Sequence, residues 1–204
     1  MTLADQINRV LRRVVSTGDR HTVVVEQRFP AGVDRLWSAC TEPQRLARWF
    51  EPVDGDLTAS GRYRLRDSGT EGTIEHCEPP TALRITWEYG GDTSLVTVTL
   101  TPAGPDATVL RLEHGAAPGE YWDQYGPAAG GAGWDESLLA LWLHLDGDPR
   151  ATPAELQGVL ATAEGREWTA GVVDAWRAAH IESGADPAEA EAAATRSLSF
   201  YAAG

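Results

Sequence analysis

Two histidines and three ring-bearing residues fall at positions where they could share one site. Alternation along successive strand-like segments puts Tyr63, His76, Trp87, Tyr89 and His114 on a single apolar face. A histidine facing a cleft could act as a general base or orient a ligand carbonyl. Aromatic side chains with polar tips suit large, partly polar ligands. A helical stripe of Trp134, Leu138 and Trp142 would lie opposite them, with Trp49 and Phe50 as one wall and Trp122 and Tyr125 as a lid. The acidic and aromatic run EYWDQYG (120–126) could present Glu120 or Asp123 to an amine or hydroxyl. The other reading of the same residues is core packing, with each histidine bonded to backbone or to a Trp N–H.

Other chemistries find little support. The five histidines (21, 76, 114, 144 and 180) show no HxH, HExxH or His-carboxylate spacing, so neither a metal nor any other cofactor is expected. There is no GxSxG elbow, and Cys40 and Cys77 have no base partner evident in the sequence. Cys40 reads as a small apolar helix residue and Cys77 as an outer-face residue. GGAG (130–133) before a helix resembles an anion loop, yet Asp135 and Glu136, placed in the first turn, would repel a phosphate. Those glycines are expected to form the flexible approach to the helix, and Trp122–Gly133 to gate a cavity.

The elements that must hold these residues can be read from periodicity. Leu3, Ile7, Val10, Leu11 and Val14 have helical spacing, with Thr2 as cap and Asp5 three residues on, so a helix is expected within 1–18. HTVVVEQRF (21–29) reads as a strand, and two short helices flank Pro43. Segments 62–66, 72–77, 82–89, 94–101 and 108–114 alternate apolar residues with Arg, Glu and Thr, as in an antiparallel meander with one wet face. That sheet needs a cover. The stripe Trp134, Leu138, Leu141, Trp142 and Leu145 provides a helix for it. Beyond it, TPAE (152–155) and DPAE (186–189) open alanine-rich helices expected at 153–163, 165–182 and 187–202. The expected organisation is one domain over 1–147 and a helical extension over 148–204 packed on it.

Composition narrows the partners. The 204 residues carry 17 Lys and Arg against 30 Asp and Glu, a formal charge of -13, which opposes binding to nucleic acid or to anionic membranes. No apolar run reaches the roughly 18–20 residues of a membrane span, and the first residues lack signal-peptide layout. Two cysteines without metal spacing fit a cytoplasmic chain with reduced thiols.

The segments FPAGVDRLWSACTEPQRLARWFEPVDGDLTASGRYRL, GTIEHCEPPTALRITWEY, SLVTVTLTPAGPDATVLRLEHG and YGPAAGGAGWDESLLALWLHL resemble the bacterial homologues of the activator of heat-shock protein 90 ATPase. These AHSA1-like proteins form a branch of the START-like (SRPBCC) superfamily, and the likeness spans about residues 21–146. It implies an α+β helix-grip fold, in which an antiparallel meander wraps a long helix and leaves a cavity between them. The N-terminal helix and the tail are similar to additions on a subset of the family. Chaperone activation is not carried over, because the separate N-terminal module that contacts the chaperone is not recognised in these residues.

Three functions follow as expectations. The first is burial of a small, largely apolar or aromatic molecule in the cleft between sheet and helix. The second is a cyclase, dehydratase or hydrolase acting on a polyketide-like substrate. The third is a chaperone-assisting or protein-interaction module, with the tail helices as a candidate homodimer surface.

Overall fold

The computed structural model describes residues 2–18, 20–116 and 119–203. Eight strands form one antiparallel sheet: β1 (Val10–Thr17), β2 (Arg20–Phe29), β3 (Val53–Gly55), β4 (Arg62–Leu65), β5 (Glu71–Glu78), β6 (Ala82–Tyr89), β7 (Asp92–Pro102) and β8 (Thr108–Ala116). Their order is β1-β2-β8-β7-β6-β5-β4-β3. Helices α2 (Val33–Thr41) and α3 (Pro43–Trp49) link β2 to β3. After the sheet come α4 (Glu120–Tyr125) and α5 (Ala128–Asp146), then α6 (Pro153–Leu160), α7 (Ala163–Glu182) and α8 (Pro187–Ala203). The outer face of the meander carries cross-strand ion pairs, among them Arg62–Glu88 at 2.9 Å and Arg84–Glu75 at 3.0 Å.

The N-terminal segment departs from its periodicity. Thr2 and Asp5 do form a capping box, but α1 spans only Leu3–Ile7 and the chain then enters β1. Val10 and Val14 are four apart, which fits one helix face and equally one strand face. Strand wins because Val10, Val14 and Val15 are β-branched and the segment pairs residue for residue with β2. Val10, Arg12 and Val14 therefore point inward.

α5 also begins earlier than its stripe suggests, and Gly130, Gly131 and Gly133 lie inside it. The chain turns instead at Gly126, with φ +59°. α5 is buried on several sides, with Leu138, Leu139, Leu141 and Leu143 each at most 6% exposed. The sheet and α2 cover one flank, and α7 covers another. A Cβ on Gly131 would stand 2.3 Å from Cε2 of Trp176, so the bare backbone there seats the indole of α7.

Asp135 is consequently two turns into the helix and fully buried, not at the dipole end. Arg12 grips it through Nη2 at 2.6 Å and Nε at 3.1 Å, and Trp176 Nε1 donates to it at 2.8 Å. Gln6 Nε2 donates to the Asp135 carbonyl at 3.4 Å, and Trp168 Nε1 donates to Gln6 Oε1 at 2.9 Å. Burial pushes the Asp135 pKa up, whereas the guanidinium and the indole N–H favour the anion. Three donors converge on its two oxygens, so we assign the ionised form. One network thus ties α1, β1, α5 and α7 together.

Candidate functional site

Between α5 and the sheet lies an apolar cleft of ≈ 120 Å³. The sheet contributes Leu83, Ile85 and Trp87 of β6, Val96 and Val98 of β7, and Leu110 and Leu112 of β8, each set spaced by two. α5 adds Trp134, Ser137, Leu138 and Leu141 with helical spacing. The far wall is Trp37, Cys40 and Thr41 of α2, Leu46 and Trp49 of α3, and Phe50. None of these lining residues is a carboxylate, histidine or arginine. Two larger hollows, of ≈ 360 and ≈ 490 Å³, are open grooves at the hairpin tips (Ser68–Gly69 and Tyr89–Thr93) and on the outer sheet face around Thr97 and Glu113.

Of the twelve residues singled out in the sequence, Trp49, Phe50, Trp87, Trp134 and Leu138 line the cleft. His114 stands behind Trp134. Trp134 Nε1 donates to His114 Nδ1 at 3.0 Å, which fixes the proton of the neutral ring on Nε2, and Nε2 donates to Ser94 Oγ at 2.8 Å. Ser94 Oγ in turn donates to the Trp87 carbonyl at 3.3 Å. Burial holds the His114 pKa down at about 4, so the ring is neutral at pH 7 with both nitrogens engaged. It positions the edge-to-face pair Trp87–Trp134, whose ring centroids are 5.5 Å apart, and has no free nitrogen with which to act as a base.

The remaining six lie elsewhere. Tyr63 is buried with Leu65 and Ile74, its hydroxyl donating to the Thr86 carbonyl at 2.7 Å. His76 is on the outer face, because a bulge between Ile74 and His76 shifts the register so that His76 pairs with Arg84. It is exposed there, 3.6 Å from Glu78. The same bulge moves Cys77 opposite Leu83, at an exposed strand end. Tyr89 sits at a hairpin tip and is 63% exposed. Trp142 packs on Phe29 with the Arg9 guanidinium 5.4 Å above its ring.

Trp122 and Tyr125 belong to α4 and do not overhang the cleft. Trp122 is buried, stacked on His21 at 4.3 Å and met edge-on by His180, while Tyr125 packs against Tyr121 and Phe200. The expected gate, Trp122–Gly133, is therefore two helices joined at Gly126 and clasped by α8. Ser197 Oγ donates to the Tyr125 carbonyl at 2.8 Å and the Tyr201 hydroxyl to the Ala129 carbonyl at 2.7 Å.

The wall from α2 and α3 was absent from the expected set beyond Trp49 and Phe50. Its signal was present: Trp37, Cys40 and Thr41, like Leu46, Trp49 and Phe50, fall at i, i+3 and i+4. Burial pushes the Cys40 thiol up to about 12, so it stays protonated and packs as an apolar group. Among the described residues, no three His, Cys, Asp or Glu side chains cluster as a metal site requires, and no helix is long and apolar enough to cross a membrane.

An antiparallel sheet holding a long helix, with an apolar cleft between them, is the START-like helix-grip arrangement. Within that class the chain belongs to the Activator of Hsp90 ATPase homolog 1-like family, whose sequence profile matches residues 30–145. CalU16 from Micromonospora echinospora is similar over most of the chain. Its solution structure is 30% identical with a TM-score of 0.70, covering 86% of this chain and 97% of CalU16. Its crystal structure gives 31% identity, a TM-score of 0.63 and 83% and 97% coverage. DynU16, described as a protein of the dynemicin biosynthetic locus, is 29% identical with a TM-score of 0.57, over 64% of this chain and 49% of DynU16. An Hsp90 activator from Plasmodium falciparum, PFC0360w, shares the fold at 20% identity and a TM-score of 0.53, covering 62% of this chain and 96% of its own. No curated protein matches the chain by sequence.

Proposed function

We propose that the protein binds a small apolar molecule, or the ring-bearing end of a larger one, in the cleft between α5 and the sheet. The observation that carries this reading is the cleft itself: ≈ 120 Å³ of space walled by four tryptophans and six aliphatic strand residues. Close packing leaves few voids larger than a water in an ordinary core. An apolar cavity of about 150 Å³ stays dry and takes up benzene, so a single ring is the matching size. The likeness to DynU16, a protein of a biosynthetic locus, together with the tryptophan-walled cleft, makes a biosynthetic intermediate bearing a ring a fitting ligand class. Binding is favoured over catalysis because no lining residue is an acid or base and His114 is fully engaged. The extension 148–204 is read as a clamp that fixes α5, and through it the cleft.

NMR titration with toluene tests this. The expected result is saturable shifts of the Trp87, Trp134 and Leu138 signals, lost in Val98→Phe, which fills the cleft, while the far-UV circular dichroism is retained. Absence of shifts, or undiminished binding in a folded Val98→Phe variant, would overturn the reading.

A further inference from the structure

Among the described residues, the side-chain amide of Gln27 has no hydrogen-bond partner at either its nitrogen or its oxygen, although the residue is only 1% exposed. Buried amides are paired in nearly all folded proteins, and an unpaired one is costly enough to need an explanation. Its surroundings show why the protein itself offers no partner. Gln27 faces inward from β2, with Val25 and Phe29 two residues to either side on the same face. Directly opposite it are Val10 on β1 and Leu110 on β8. All four are apolar.

Leu110 is the link to the cleft. It lines that space, and cross-strand neighbours stand roughly 5 Å apart on a shared face. The orphan amide is therefore one residue beyond the cleft floor, beneath α5, with apolar residues directly beside it and the inward-facing Arg12 of β1 committed to Asp135 and to the Ile7 and Val10 carbonyls. An amide can both donate and accept, so it can pair with a hydroxyl, a carbonyl or an amine carried on a ring.

We infer that Gln27 is the polar specificity determinant of the cleft, pairing with a single hydroxyl or carbonyl at the inner end of an otherwise apolar ligand. The inference rests on the binding reading proposed above and adds the ligand's polarity and direction: ring at the Leu110 end of the cleft, polar atom past Leu110 toward β2. A ligand lacking that atom leaves the amide unpaired, so the site discriminates between isosteres that differ only there.

Phenol and toluene, equal in shape and different in one group, make the test. Affinities are measured by NMR titration on the full chain for the wild type and for Gln27→Leu, with the wild-type Gln27 side-chain amide signals followed directly. The expected result is a phenol-to-toluene affinity ratio lowered about five- to tenfold in Gln27→Leu, and a shift of the wild-type Gln27 amide signals with phenol but not with toluene. If both probes bind and the ratio and amide signals do not respond, the role of Gln27 is overturned while the cleft reading stands; an internal water would then be the amide's partner. If neither probe binds, the cleft reading falls, and this inference with it. Should Gln27→Leu fail to fold, the wild-type amide signals alone decide between these outcomes.

Discussion

Gly131→Ala makes an unusually well controlled perturbation, because two neighbouring glycines on the same helix supply the reference. In each case the substitution adds one methyl group and improves helix propensity by about 1 kcal/mol. At Gly130 and Gly133 the added Cβ meets nothing within 4 Å beyond its own surroundings, so both substitutions should stabilise. At Gly131 it would stand 2.3 Å from Cε2, 2.6 Å from Cζ2 and 2.8 Å from Cδ2 of Trp176. Carbon atoms in contact prefer about 3.5–4 Å, so the indole, which is fully buried on α7, must retreat by more than an ångström. Overpacking of this kind costs about 1–3 kcal/mol. Retreat also stretches the 2.8 Å bond from Trp176 Nε1 to Asp135, and losing a hydrogen bond to a charged group costs about 1.5–3 kcal/mol. After subtracting the propensity gain, Gly131→Ala should destabilise by about 1.5–5 kcal/mol, a drop in Tm of roughly 3–20 °C for a chain of this size. Urea denaturation of the three single variants measures it. A Gly131→Ala variant as stable as Gly130→Ala and Gly133→Ala would refute the packing of α7 on the bare helix surface.

Three further outcomes follow from the structure. Asp135→Ala leaves Arg12 buried without its carboxylate and should cost about 3–5 kcal/mol, whereas the double variant Asp135→Leu with Arg12→Met should recover much of that in the same denaturation assay; no recovery would mean that the pair is not the source of the cost. His114 has a folded pKa of about 4, below the roughly 6.5 of an exposed imidazole, so the unfolded chain binds more protons between those values. Its contribution is complete above pH 6.5 and is lost as pH falls toward 4, by about 3 kcal/mol in total; urea midpoints against pH for wild type and His114→Gln should diverge in sign and window accordingly, and parallel curves would contradict it. Iodoacetamide should label the exposed Cys77 much faster than Cys40, whose partly buried thiol stays protonated, as peptide mass spectrometry of the native protein can show; labelling of both at equal rates would contradict the placement of Cys40 in the cleft wall.

The meander, the two short helices and the three tail helices were legible because each repeats a simple period over several residues, and because TPAE and DPAE mark helix starts. Thr152 and Asp186 do cap α6 and α8. The misread places share one physical cause: the local pattern was compatible with two structures and a distant partner decided between them. Val10 and Val14 suit a helix or a strand, and pairing with β2 selects the strand. Strict alternation through Glu75 placed His76 inside, and a single extra residue in β5 turned it out. The glycines at 130–133 look like a loop until Trp176, more than forty residues later, is set against them. The cleft followed the same rule. Its sheet side and α5 side could be read from alternation and stripe, whereas the exile of Trp122, Tyr125 and Trp142 depended on where the extension and β2 came to rest.

The partners of Asp135 have a consequence for how the chain reaches this state. Arg12 lies 123 residues before it, and Trp176 lies 41 after it. Gln6 and Trp168, which close the same network, are 162 residues apart. Contacts of such separation demand the closure of large loops before any stabilisation is returned, which makes folding slow. During synthesis the whole sheet and α5 emerge while the seat for Trp176 is still vacant, leaving the Asp135–Arg12 pair and the bare glycine face open to water. Completion of the native state is therefore a late event that awaits α7, and a nascent chain arrested near residue 147 would present an unfinished helix surface suited to capture by a general chaperone.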